Sequence, residues 1–259
     1  MDLQLTGRRA IVTGASRGIG LATARALAAE GVDVAIVARD QDALDRAAER
    51  LSTDSGRTIV PVAADTGDDA SVTAMVAQVV DRLGGVDVLV NCAARPNTGQ
   101  LTDDALELEI NVKVRGYLRC IRAVAPHMAT SGWGSIVNVA GVAARTTGSL
   151  TGTIRNVAVA ALTKNLADEL GPQGINVNVV HPALTITEKL PPVVSRIAET
   201  QGITEDEALA VLGKDTSVGR IMTADEVASV ICFVASPKAV AIAGDPVLAS
   251  GGSRGWIAY

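Results

Sequence analysis

The sequence predicts an α/β fold of repeated βαβ units around a parallel sheet, on two observations. Short, almost continuously apolar runs alternate with long Ala-rich stretches of helical period. The 259 residues are 48% hydrophobic, enough to bury a sizeable core, and no Pro- or Gly-rich linker divides them. Residues 1–259 are therefore expected to form one domain.

The elements follow in chain order. Residues 10–13 (AIVT) are the first strand and 18–29 the first helix; 33–38 (DVAIVA) and 59–63 (IVPVA) are strands separated by a helix over 41–51. A helix over 70–83 precedes the strand 86–91 (VDVLVN), and a long helix is expected over 103–128. The strand 135–139 (SIVNV), the helix 153–170, the strand 176–180 (NVNVV), the helix 224–234 and the strand 247–249 complete the pattern. Such short apolar strands suit a sheet covered by helices on both faces. Connections are short except at about 183–217, where two further helical patterns follow a strand end and suggest a lid over a ligand.

Composition excludes several classes. The net charge is −5 with no run of Lys or Arg, which argues against a nucleic-acid partner. The start MDLQLTGRRAIVTG turns polar too early for a secretory leader, no stretch is apolar enough to span a membrane, and a cytoplasmic location is expected. Cys92, Cys120 and Cys232 are widely spaced and form no C-x-x-C pair, so neither a disulfide framework nor a metal site is expected. Aromatics are scarce: Trp133, Trp256, Tyr117, Tyr259 and Phe233. A mechanism that needs a tyrosine has two from which to choose.

Ligands of open parallel sheets bind beyond the carboxyl ends of the strands. After the first strand comes Thr13-Gly14-Ala15-Ser16-Arg17-Gly18-Ile19-Gly20, opening directly into a helix. Glycines there let the backbone approach a pyrophosphate, and the helix N-terminus offers free N–H groups with partial positive charge. The spacing is G-x3-G-x-G, which differs from the general dinucleotide fingerprint G-x-G-x-x-G.

This turn, Asn91-Cys92-Ala93-Ala94 after the fourth strand, Asn111 on the next helix, His181-Pro182 after the sixth strand and the C-terminal Gly244-Asp245-Pro246-Val247-Leu248 together resemble the short-chain dehydrogenase/reductase family over nearly the whole chain. The resemblance implies a three-layer, doubly wound Rossmann fold with a seven-stranded parallel sheet, a nicotinamide cofactor and a homodimer or homotetramer. It places Gly14, Ser16, Arg17, Gly18, Ile19, Gly20, Arg39, Asp65, Asn91, Asn156, Pro182, Thr185 and Thr187 at the cofactor. Cys92, Ala94 and Ala183 depart from the family's usual Asn, Gly and Gly. Arg39 at the end of the second strand, with Arg17 in the glycine turn, favours a ribose 2′-phosphate and hence NADP(H), with NAD(H) remaining open.

Family enzymes use a serine, a tyrosine, a lysine four residues beyond it and an asparagine on the preceding helix. Here the serine position holds Gly141, the tyrosine position Gly152 and the lysine position Asn156; only Asn111 remains of the four. No tyrosine lies between Tyr117 and Tyr259, so the absence does not depend on the register chosen. Asn156, Ser149 and His181 are weak replacements: Ser149 is equally explained as a loop or cap residue, His181 as a pre-proline backbone position, and Asn156 would hydrogen-bond the nicotinamide ribose as the lysine does, without its charge. The expected function is an NADP(H)-dependent oxidoreductase acting on a small carbonyl or alcohol through a non-standard site. The alternatives are a catalytically silent dinucleotide-binding protein, as sensor or inert oligomer partner, and non-redox hydration or elimination on the same scaffold.

Overall fold

Side chains of successive strand residues point to opposite faces of a sheet, and here the two sets enter two different cores. Ala10, Val12, Val34, Ile36, Val88, Val90, Val137 and Val139 pack on one side; Ile11, Ala35, Val37, Leu89 and Ile136 pack on the other. The strands are thus buried on both faces. The computed structural model describes residues 1–95 and 102–254. Trp256 and Tyr259 lie outside the described residues.

Seven parallel strands form the sheet: β1 (Arg9–Thr13), β2 (Asp33–Ala38), β3 (Ile59–Ala63), β4 (Val88–Asn91), β5 (Gly134–Val139), β6 (Ile175–Pro182) and β9 (Pro246–Ala249). Their spatial order is β3-β2-β1-β4-β5-β6-β9. Helices α1 (Gly18–Ala29), α2 (Gln41–Ser55) and α9 (Ala224–Ala235) cover the first face; α3 (Asp69–Leu83), α5 (Gly116–Ser131) and α6 (Leu150–Leu170) cover the second. This is the three-layer, doubly wound architecture expected. The chain reverses its winding direction between β1 and β4, which opens a crevice at their carboxyl ends.

Two features differ from the sequence reading. The helix expected over 103–128 is broken into α4 (Asp103–Glu109), a π-helical turn (Ile110–Arg115) and α5. Within that turn the Gly116 N–H donates to the carbonyl of Asn111, five residues back. A side-chain period cannot reveal such a register change, because apolar residues still recur on either side of it. The other feature is a second, two-stranded sheet pairing β7 (Thr185–Ile186) with β8 (Met222–Thr223) in parallel. It brackets α7 (Pro191–Gln201) and α8 (Glu205–Gly213), which share a small core of Leu190, Val194, Ala198, Ala208 and Ile221.

Candidate functional site

The crevice beside β1 is a cavity of about 520 Å³. Its floor is the glycine turn, and two of the glycines there are sterically required. Gly14 adopts φ +70°, and a Cβ on it would stand 2.9 Å from the Cα of Ala93 at the end of β4. On Gly20 a Cβ would stand 2.3 Å from the carbonyl oxygen of Gly14, so nothing larger lets the turn fold back on α1. Thr13 ties the two strand ends together, its Oγ1 accepting from the N–H groups of Cys92 (3.1 Å) and Ala93 (3.2 Å).

The N-terminus of α1 has no cap from its own segment and no acidic residue in its first turn. What meets it is a carboxylate from across the cleft: the Gly18 N–H donates to Glu188 Oε2 at 3.0 Å. An anion therefore already rests against the orphan N–H groups of this helix, as their partial positive charge favours. Glu188, Lys189 and Thr187 all line the cavity.

Gly14, Ser16, Arg17, Gly18, Ile19, Gly20, Arg39, Asp65 and Thr187 line the cavity, whereas Asn91, Asn156, Pro182 and Thr185 lie outside its lining. Arg17 and Arg39 form no ion pair among the described residues. Asp40, adjacent to Arg39, is engaged elsewhere: its Oδ1 caps α2 by accepting from the Ala43 N–H at 3.0 Å. Asp65 Oδ1 accepts from the Gly67 N–H at 2.8 Å while still lining the cavity. Asn91 is fully buried and donates to Asn138 Oδ1 (3.0 Å); Asn138 donates in turn to Thr163 Oγ1 (3.0 Å), bracing β4, β5 and α6. Cys92 also lines the crevice, and burial pushes its thiol up to about 11, so it is no thiolate at neutral pH.

The candidate acid–base groups lie deeper. Ser149 caps α6, its Oγ accepting from the Gly152 N–H at 3.2 Å. His181 is 1% exposed; its Nδ1 donates to the Gly141 carbonyl at 2.9 Å, and its Nε2 is buried without a partner among the described residues. Burial lowers its pKa below the usual 6.5. Tyr117 is fully buried and donates its hydroxyl to the Val139 carbonyl at 2.9 Å. Asn111 turns to the far side of the π turn and donates to the Gly67 carbonyl at 3.1 Å. The side chain that reaches Asn156 is Lys113, which the sequence reading missed: its Nζ donates to Asn156 Oδ1 at 3.0 Å and to the Ala140 carbonyl at 2.9 Å. The Val-Lys-Val alternation at 112–114 was the sole hint of its burial.

A sequence profile described as enoyl-(acyl carrier protein) reductase matches residues 14–254. Among curated proteins the short-chain reductase protein NovJ of Streptomyces niveus is 38% identical over 247 residues, 94% of this chain and 92% of its own. The chain is a short-chain dehydrogenase/reductase. A second member of this family, dehydrogenase/reductase SDR family member 4 of Oryctolagus cuniculus, is 35% identical over 96% of this chain and 94% of its own. L-Sorbose reductase from Gluconobacter frateurii, solved with NADPH and L-sorbose, superimposes with a TM-score of 0.94 at 27% identity, over 99% of this chain and 100% of its own. A short chain dehydrogenase from Burkholderia cenocepacia in complex with NADP gives 0.83 at 32% identity, over 96% and 98%. The family's structures thus include NADP(H) complexes, and this short-chain dehydrogenase/reductase has an open crevice at its topological switch point.

Proposed function

We propose that this short-chain dehydrogenase/reductase is an NADP(H)-dependent oxidoreductase that interconverts a small carbonyl compound and its alcohol through a non-standard active site. The observation that carries the reading is the N-terminus of α1, which no side chain of its own segment caps, over a glycine cradle, with Arg17 and Arg39 lining the same cavity and forming no ion pair among the described residues. Gly14, Ser16, Gly18, Ile19 and Gly20 would hold the pyrophosphate, the two arginines the 2′-phosphate, and Asp65 the adenine edge. Thr187 and Lys189 reach the same cavity from the segment 183–217, which we assign as a lid. When bound, the reduced dinucleotide supplies a hydride. The protein's own task is to orient the carbonyl and steady the charge on its oxygen. Loss of the usual acid is affordable, because general acid–base catalysis contributes about 10² to 10⁴ in rate while orientation contributes roughly 7 to 11 kcal/mol.

The segment Leu150, Ile154 and Val157 on α6 is exposed and apolar at helical spacing, which supports self-association as a homodimer or homotetramer.

A second reading, a silent dinucleotide-binding protein, is favoured by Gly141 and Gly152 at the positions of the family's serine and tyrosine. Absorbance of NADPH followed with a panel of aliphatic aldehydes, ketones and diketones separates the two. Consumption of NADPH with at least one carbonyl supports the oxidoreductase; saturable binding with no consumption across the panel supports the silent protein.

A further inference from the structure

Lys113 is 4% exposed and forms no ion pair among the described residues. The nearby carboxylate of Glu109 pairs with Arg155. A buried ammonium held only by neutral oxygens is costly, so its placement calls for a compensating role. Its contacts also fix the amide of Asn156. An ammonium only donates, so Oδ1 must face Lys113 and Nδ2 must point away. That Nδ2 lies 3.2 Å from where a Cβ on Gly141 would stand. Gly141 and Asn156 are thus fitted to each other: the amide leans into the space that the missing side chain leaves. Lysine at 156 would set a second ammonium against the first, so Lys113 and the family's usual lysine exclude one another.

We propose that Lys113 supplies, from the π-helical turn behind the cleft, the cation that the family's catalytic helix ordinarily carries, and that it acts through the largely buried Asn156, whose Nδ2, turned toward Gly141, donates to the substrate's carbonyl oxygen there. This rests on the oxidoreductase reading. Asn156 is then the catalytic residue and Lys113 the positioning one. With a reduced dinucleotide bound, which would supply the hydride and be left oxidised, the carbonyl π pair would move onto oxygen beside Asn156 Nδ2, and the resulting alkoxide would take its proton from bulk solvent, whose buffer absorbs the balance. The amide and the ammonium keep their own protons and stabilise the charge while it develops.

The arrangement carries a pH signature. Burial, and then Arg155, bring Lys113 down to about 7. Around it, Cys92 at about 11 and Tyr117, raised by burial, stay protonated, and His181 is neutral above pH 6.5. The charged groups that act on it are the guanidinium of Arg155 and, with the opposite sign, the carboxylate of Glu109. Activity should therefore fall as pH rises through about 7, where the ammonium discharges. Stability should move the other way. Between about 7 and 10.5 the unfolded chain binds the extra proton, so this lysine's cost is complete below pH 7 and is relieved above it.

The test compares full-length parent, Lys113→Met, Asn156→Lys and the exchange variant Lys113→Asn/Asn156→Lys, with an aliphatic 1,2-diketone as probe from pH 6 to 8.5. NADPH binding and the unfolding midpoint are measured at each pH. The expected results are NADPH affinity within about threefold of the parent in Lys113→Met and a kcat loss of at least about 30-fold in that variant. In that variant KM should be little changed, and both the activity limb near pH 7 and the rise in stability should vanish. Asn156→Lys should be destabilised, and the exchange should restore both folding and part of the lost kcat. A Lys113→Met protein that folds, binds NADPH and keeps the parent's kcat and pH limb overturns this proposal alone. A parent that binds NADPH but never reduces the probe or any other carbonyl overturns the oxidoreductase reading, and this proposal with it.

Discussion

Glu188 shows how one side chain can stand in for a ligand. Its carboxylate accepts from the Gly18 N–H, and on the proposed reading a dinucleotide phosphate would compete with it for the same donors. Neutralising it should help the dinucleotide. Glu188→Gln is expected to tighten NADPH about threefold in a fluorescence titration, in line with the ~0.3–1 kcal/mol of an exposed charge at a helix end. Weaker binding would mean that the glutamate supports the bound state. The arginines at the rim could be read from sequence because their positions follow from strand ends. Glu188 could not, because 170 residues separate it from Gly18 and only the fold of the 183–217 segment brings them together. Lys113 escaped notice for a related reason. Its partner Asn156 lies 43 residues away on another helix, and its direction depends on a helical register that no sequence period displays.

The element that decides the site is the β1–α1 turn. Gly20 is packed against the Gly14 carbonyl so closely that even a methyl group must displace backbone. Gly20→Ala is expected to destabilise the protein by about 2 kcal/mol and to abolish dinucleotide binding at a temperature where the variant remains folded. Thermal unfolding and NADPH titration on the same sample check both, and an undisturbed titration would show that the turn does not cradle the ligand. The strand–turn–helix context made this element legible from composition and spacing. The break between α4 and α5 was not legible, because an i→i+5 turn costs one residue of register without interrupting the apolar pattern. Asn111 and Lys113, two residues apart on this turn, face opposite ways, the first to Gly67 and the second to Ala140 and Asn156.

For the molecule as a whole, seven strands and the helices between them were evident from the alternation of short apolar runs with Ala-rich segments. The two-sided burial of the sheet explains why: each strand must be apolar at successive positions to enter both cores. The small β7–β8 sheet was not evident, since two residues per strand leave no period. Among the described residues no helix is long and apolar enough to cross a membrane. The outer face of α6 leaves Leu150 61%, Ile154 38% and Val157 46% exposed. Sedimentation of the full-length protein should show a dimer or tetramer, and Val157→Lys should shift it toward monomer; a parent that is monomeric at all concentrations would remove the self-association proposal. The crevice itself is tested most directly by calorimetric titration with NADP⁺ and, separately, NAD⁺. The account predicts one site per chain, with NADP⁺ at least about tenfold tighter and that preference lost when Arg17 and Arg39 are both replaced by Ala. No saturable heat with either dinucleotide would contradict it.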